Sequence, residues 1–334
     1  MLSDLYAAAA RRRRERYARR PDLRRRLRRP VVSVGNIAVG GRGKTPTVAC
    51  LARWLREAGE RPSILTRGYA RTLPEEGVVV VSDPAGLRAD LARAGDEPLM
   101  LARQLPGVPV LVSSDRYLAG RLAEHQFGVT LHLLDDGFQH LQLDRDVDLV
   151  IVKQDDLDSS ARTLPSGRLR EAQDTLAAAD AVLADGPGVS LPGSLDRPLF
   201  TLQRRLGDPV VTGPVSGSEV PGPGVPAVAV AGIADPERFL KELAARDWTV
   251  QDALVFRDHH AFTRKDVERI WAATVRSGAR VVVTTEKDFV RLLPFRPFPC
   301  AVAYLPLTME PEPAAEFRRW LDASLRAARD ITVD

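Results

Sequence analysis

Short apolar runs rich in valine and leucine alternate along this chain with stretches whose apolar positions recur every three or four residues, the two periods of buried strand and amphipathic helix. The first run, 31–34, leads through a glycine-rich turn into a helical pattern over 48–55. Strands are then predicted at 62–66, 78–81, 108–112, 129–134 and 147–152, with helices at 99–105 and 116–126, and one more helix–strand unit over 177–183. This alternation argues an α/β fold, a doubly wound parallel sheet whose ligands gather beyond the strand carboxyl ends.

The pattern breaks over 186–226, where proline and glycine crowd together and only 199–204 reads as a strand. It resumes with strands at 227–231, 253–256 and 281–284 and helices at 236–245, 264–276 and 314–326, enough for a smaller α/β sandwich. The expected organisation is a basic segment over 1–30, an α/β/α domain over 31–190, an extended linker over 191–226 and a second α/β/α domain over 227–334.

Composition adds little until charge is mapped. Of 334 residues, 44% are hydrophobic and 28% charged, and no run of eighteen apolar residues offers a membrane span. Cys50 and Cys300 make no metal pattern, and a reducing cytosol is the plain inference. The net charge of +4, however, hides twelve arginines against Asp4, Glu15 and Asp22 in residues 1–30, or +9, which leaves −5 for the rest. Residues 1–20 favour a helix by propensity. Leu2, Leu5 and Tyr6 followed by dense arginines suit an anionic membrane surface, with a nucleic-acid arm or a solvated tail as the alternatives. Aromatics other than Tyr6 and Tyr17 are missing from the segment, so no nucleic-acid partner is expected. The apolar tip is short and precedes the positive charges, which argues against a signal peptide.

The chemistry begins at the first strand. Gly40, Gly41 and Gly43 followed by Lys44, Thr45 and Pro46 read as a phosphate-binding loop opening a helix, with Lys44 reaching the β- and γ-phosphates and Thr45 holding Mg²⁺. Ala38 stands where such a loop normally has its first glycine. Asp135-Asp136 closes a strand where a nucleotide-bound Mg²⁺ is usually held, although adjacent acids also make solvated turns. Asp96, in Gly95-Asp96-Glu97-Pro98, reads equally well as a helix cap. Arg168 and Arg170 could grip phosphates or simply face solvent. In Asp258-His259-His260 either histidine could position a carboxylate or substrate, and Thr285-Glu286-Lys287-Asp288 ends a strand at the same edge.

In order and spacing over about 31–290, these motifs, with Thr66-Arg67-Gly68-Tyr69, Asp135-Asp136-Gly137-Phe138-Gln139-His140 and Leu164-Pro165-x-Gly167-x-Leu169-Arg170-Glu171, resemble the tetraacyldisaccharide 4′-kinase family, the lipid A 4′-kinases. The resemblance implies a P-loop kinase of two α/β/α domains that moves the ATP γ-phosphate, with Mg²⁺, to the 4′-hydroxyl of an acylated glucosamine disaccharide 1-phosphate. Asp96 would be the catalytic base and His259 its partner. Thr45, Asp135 and Asp136 would serve the metal, Tyr69, Glu97 and His140 would line the cleft, and Arg170 and Glu171 would lie near the phosphates or metal. The family commonly begins with a hydrophobic spanning helix. Here the arginine-rich start makes peripheral attachment to the cytoplasmic face of the inner membrane the expectation, with a monomer favoured. The rival reading is a nucleotide hydrolase that switches a protein partner.

Overall fold

The structure, a computed structural model, describes residues 2–331 apart from 70, 194 and 215–221. After an N-terminal helix α1 (Leu2–Arg19) come β1 (Val31–Asn36), α2 (Lys44–Glu57), β2 (Pro62–Thr66) and the short β3 (Val79–Asp83) and β4 (Gly86–Leu87). Helices α3 (Leu91–Ala94) and α4 (Asp96–Gln104) precede β5 (Val110–Val112), α5 (Arg116–Phe127), β6 (Leu131–Asp135) and β7 (Val147–Val152). A single turn α6 (Gln154–Leu157), β8 (Ala181–Ala184) and β9 (Leu199–Leu206) follow.

These nine strands, with a tenth added near the end of the chain, build one sheet with β1 near its middle, between β6 and β7. All six residues of β1 are buried, as a parallel strand covered on both faces requires. From β9 through β8, β7, β1, β6 and β2 to β5 every neighbouring pair is parallel. The edges depart from the all-parallel expectation. β3 runs antiparallel to β5, and β4 to β3, because no crossover helix separates β2 from β3 to restore the strand direction.

The second lobe contains β10 (Val210–Thr212), β11 (Pro226–Ala231), α7 (Pro236–Ala244), β12 (Thr249–Val255), α8 (Arg264–Ser277), β13 (Val281–Thr285), α9 (Glu286–Leu292) and β14 (Ala301–Leu305). Its five-stranded sheet, in the order β10-β14-β13-β11-β12, has one apolar cluster on each face. The expected unit 227–334 is nevertheless not continuous. The chain returns as β15 (Leu307–Glu312), antiparallel to β9 of the large sheet, and ends in α10 (Ala314–Ile331). Burial dictates this return: Met309 and the α10 stripe Phe317, Leu321 and Leu325 complete the core beneath α2, where Phe317 meets Phe200 edge-on at 5.0 Å. The expected linker 191–226 is likewise divided, since β9 belongs to the large sheet and β10 to the small one. Its segment 215–221 lies outside the described residues.

Helix α1 is docked on the large lobe rather than detached. Ser3 is buried, its carbonyl accepting from Thr163 Oγ1 at 2.8 Å, and Arg11 pairs with Asp174 at 2.6 Å. Farther on, Arg26 bridges Asp144 and Asp146. Part of the basic excess is therefore neutralised within the fold.

Candidate active site

Strand β1 delivers the phosphate loop to the middle of the large sheet's carboxyl edge. Gly43 caps α2 in the left-handed region (φ 73°) with no side chain bonded to the first turn, so N–H groups and the positive end of the helix dipole face the cleft. A Cβ on Gly43 would stand 2.8 Å from Met309 Cε, so space as well as conformation demands glycine. Ala38 replaces the usual glycine without penalty because it is fully buried and bridged antiparallel to Leu169, away from the cleft. The segment 164–171 braces the loop from outside. Val39 N donates to Arg168 O at 2.8 Å, and Arg170 N donates to Ile37 O at 2.6 Å. Inside the loop, buried Arg42 sends Nη2 to Asp156 Oδ1 at 2.5 Å, while Asp156 Oδ2 accepts from Lys153 N at the start of α6.

The paired aspartates divide their work. Asp136, left-handed at φ 56°, takes Arg170 Nη1 on both oxygens at 2.9 Å and lies 3.5 Å from Lys44 Nζ. Burial alone would raise its carboxyl, but Lys44 and Arg170 outweigh that and hold it below the usual range. Asp135 Oδ2 accepts from Thr45 Oγ1 at 3.1 Å, whereas Oδ1 is buried with no partner among the described residues. Burial, then Glu97 and Asp136, push this carboxyl well above the usual range. A buried carboxylate oxygen left unsatisfied beside a threonine hydroxyl fits Mg²⁺. Among the described residues no group of three or more His, Cys, Asp or Glu could hold a metal unaided, as expected of an ion whose other ligands are phosphates and water.

Facing the loop across a cleft of about 950 Å³ are groups from both lobes. Asp96 opens α4 behind Gly95, with Oδ1 accepting from Glu97 N and Oδ2 from His259 Nδ1 at 3.0 Å and Arg291 Nε at 2.8 Å. Although burial works against ionisation, His259, Lys287 and Arg291 overcome it and hold the carboxyl far below its ordinary value. His259, left-handed at φ 56°, turns its Nε2 to within 3.0 Å of Lys287 Nζ. These partners fit a neutral ring protonated at Nδ1, donating to Asp96 and accepting from Lys287. Lys287 Nζ also meets Glu97 Oε1 at 3.0 Å, and the Tyr69 ring lies edge-on to His259 at 5.0 Å. His260 serves elsewhere: it stacks on Phe256 and bonds Asp266, the acid that completes the N-terminal cap of α8.

The cleft is thus lined by Gly40, Gly41, Gly43, Lys44, Thr45, Tyr69, Glu97, Asp135, Asp136, Arg170, Glu171 and His259, all expected from sequence. Two of the expected site residues are absent from that lining. His140 does not line it. Burial, then Arg116 and Arg145, push that imidazole down to about 3, and its Nε2 has no hydrogen-bond partner among the described residues. Asp96 is only 4% exposed and lies behind His259 rather than on the cleft wall. Glu171, although lining the cleft, is held by Arg14 Nη2 at 2.6 Å and Gln139 Nε2 at 3.1 Å. Arg14 of α1 also covers the Phe138 ring at 4.2 Å. Sequence reasoning passed over Arg14, Arg42 and Arg291. Only Arg291 carried a signal, lying three residues after Asp288 on one helical face.

Known proteins resemble the chain over most of its length. The profile of the family described as tetraacyldisaccharide-1-P 4′-kinase, LpxK, matches residues 1–326. The tetraacyldisaccharide 4′-kinase of Pelobacter propionicus is 39% identical over 301 residues, 87% of this chain and 82% of that one. That of Geobacter sulfurreducens is 38% identical over 296 residues, covering 86% and 82%. A crystal structure of LpxK from Aquifex aeolicus, an "apo" form in complex with ATP, superposes with a TM-score of 0.79 at 30% identity and covers 97% of each chain. Because the likeness runs through nearly the whole chain, and not the phosphate loop alone, the chain belongs to the tetraacyldisaccharide-1-P 4′-kinase family.

Proposed function

We propose that this protein transfers the γ-phosphate of ATP to the 4′-hydroxyl of an acylated glucosamine disaccharide 1-phosphate, the phosphorylation its relatives are named for. The observation that carries the reading is the Asp96–His259 pair, built from opposite lobes, with His259 lining the same cleft as Lys44 and the phosphate loop. Phosphoryl transfer asks a protein mainly to position groups and to neutralise charge. The loop N–H groups and Lys44 hold the phosphates, and Thr45 and Asp135 hold Mg²⁺, which when bound would offset charge on the transferred group. The Asp96–His259 pair takes the proton of the acceptor hydroxyl. The hydroxyl oxygen forms the new bond to the γ-phosphorus as the bond to the β-bridging oxygen breaks, releasing ADP. Asp96 fixes the ring from behind, a role suited to a carboxylate with both oxygens engaged.

Membrane attachment forms part of the same reading. No described helix is long and apolar enough to cross a membrane. Leu2, Leu5 and Tyr6 project from α1 with Arg12 and Arg16 exposed on the same helix, which supports peripheral contact with an anionic surface on the cytoplasmic side. The switch-hydrolase alternative is not favoured, since it needs neither a second-lobe histidine nor an acceptor cleft.

The test is label transfer from γ-labelled ATP with Mg²⁺ to the purified disaccharide lipid in detergent. Label on the lipid supports the assignment; release solely as free phosphate overturns it.

A further inference from the structure

Of the Thr285-Glu286-Lys287-Asp288 stretch, the first three residues line the cleft and Asp288 does not. Asp288 instead anchors Arg291 inside the small lobe. Asp288, fully buried, accepts from Gly232 N at 2.9 Å and from Thr285 Oγ1 at 2.7 Å, and its Oδ1 takes Arg291 Nη1 at 2.8 Å. Arg291 Nη1 also donates to Gly232 O at 2.7 Å. With one edge of its guanidinium fixed inside the small lobe, Arg291 presents the other to Asp96 Oδ2, through Nε at 2.8 Å and Nη2 at 2.5 Å. The two residues are each 4% exposed, so this is a buried ion pair joining one lobe to the other. On either side along the α4–α9 contact lie Glu97–Lys287 and Gln104–Glu286, at 3.0 and 2.6 Å.

We propose that Arg291 is a positioning residue for phosphoryl transfer: it aims the Asp96 carboxylate at His259 and assembles that pair only when α9 of the small lobe is seated on α4. The inference rests on the function proposed above. Gly232 reinforces the geometry, since a Cβ there would stand 2.9 Å from Asp288 Oδ1 and 3.4 Å from Arg291 Nη1, displacing the anchor of the guanidinium. The groups facing Asp96 are His259 from the loop after β12, Lys287 and Arg291 from α9, and neighbouring Glu97 on α4. Removing the Arg291 cation takes away one of the charges that keep Asp96 ionised, whereas a lysine keeps the charge but loses the two-pronged contact.

The experiment measures transfer to the disaccharide lipid by the full chain and by Arg291→Gln and Arg291→Lys, each also combined with Asp96→Ala, with ATP affinity measured separately. Arg291→Gln should lower kcat about 10- to 100-fold with the ATP Kd within about twofold of wild type. Arg291→Lys, which keeps the charge, should lose kcat only several-fold, again with the ATP Kd unchanged. Combined with Asp96→Ala, neither should cost anything further. Wild-type kcat in Arg291→Gln, or an equal loss in the Asp96→Ala background, would overturn the inference. Should Arg291→Gln not fold, Arg291→Lys decides, and wild-type kcat in that variant has the same effect. Failure of the wild-type chain to label the lipid would instead remove the proposed function.

Discussion

At the residue scale, the two sides of the cleft should fail differently. Lys44→Ala should weaken ATP binding and slow transfer together, because Lys44 acts on phosphates in both the bound and the transition state. Asp96→Ala should leave ATP binding intact and lower turnover by about two to four powers of ten, and equilibrium nucleotide binding beside the labelling assay separates the two. His140 bears on stability rather than on the reaction. Its folded value lies below the ordinary 6.5, so the unfolded chain takes up a proton that the native state resists. Stability is then full above about 6.5 and is lost as pH falls toward about 3, with buried His132 acting in the same direction. His140→Gln should therefore lose less Tm than wild type on acidification from about pH 7 to about pH 5. Residues such as Lys44 and Asp135 were legible in the sequence because their chemistry needs a fixed local spacing. Arg14 and Arg42 were not, because each finds its partner more than a hundred residues away, and Arg291 showed its local partner Asp288 but not the distant Asp96.

At the element scale, the strand and helix order was readable because each buried strand is a compact apolar run. What could not be read was where elements without an alternating partner would lodge. The phosphate loop draws its shape from one such contact, the buried Arg42–Asp156 pair that ties it to α6. Arg42→Ser would leave Asp156 its bond from Lys153 N and, as counter-charge, the longer 3.6 Å approach of Arg168. Loss of one partner of a buried pair costs about 3–5 kcal/mol, so thermal denaturation should show a clear fall in Tm, with weaker ATP binding. The outward face of α1 can be tested apart from its docked face. Arg12→Glu with Arg16→Glu should reduce flotation with anionic vesicles while transfer in detergent persists, and unchanged flotation would remove the membrane role of this helix.

At the scale of the whole molecule, the two-lobe plan was visible in the Pro/Gly-rich break, yet the sequence could not show that the chain crosses between lobes twice. The crossings lie side by side, with Gly207 N donating to Pro306 O at 2.8 Å and Arg246 Nη1 donating to Gly207 O at 2.9 Å. The small lobe is therefore an insertion whose two ends meet, while β15 and α10 finish the large one. Phe317→Ala, although distant in sequence from the phosphate loop, should destabilise the large lobe by about 3–5 kcal/mol, measurable by urea denaturation. This topology also sets an order of events during synthesis. When the ribosome has released the inserted lobe, the sheet that carries the phosphate loop still lacks an edge strand, and the floor under α2 is missing Met309 and Phe317. The lobe begun first is completed last, so a chain stalled short of α10 would carry a folded insertion and no finished nucleotide site.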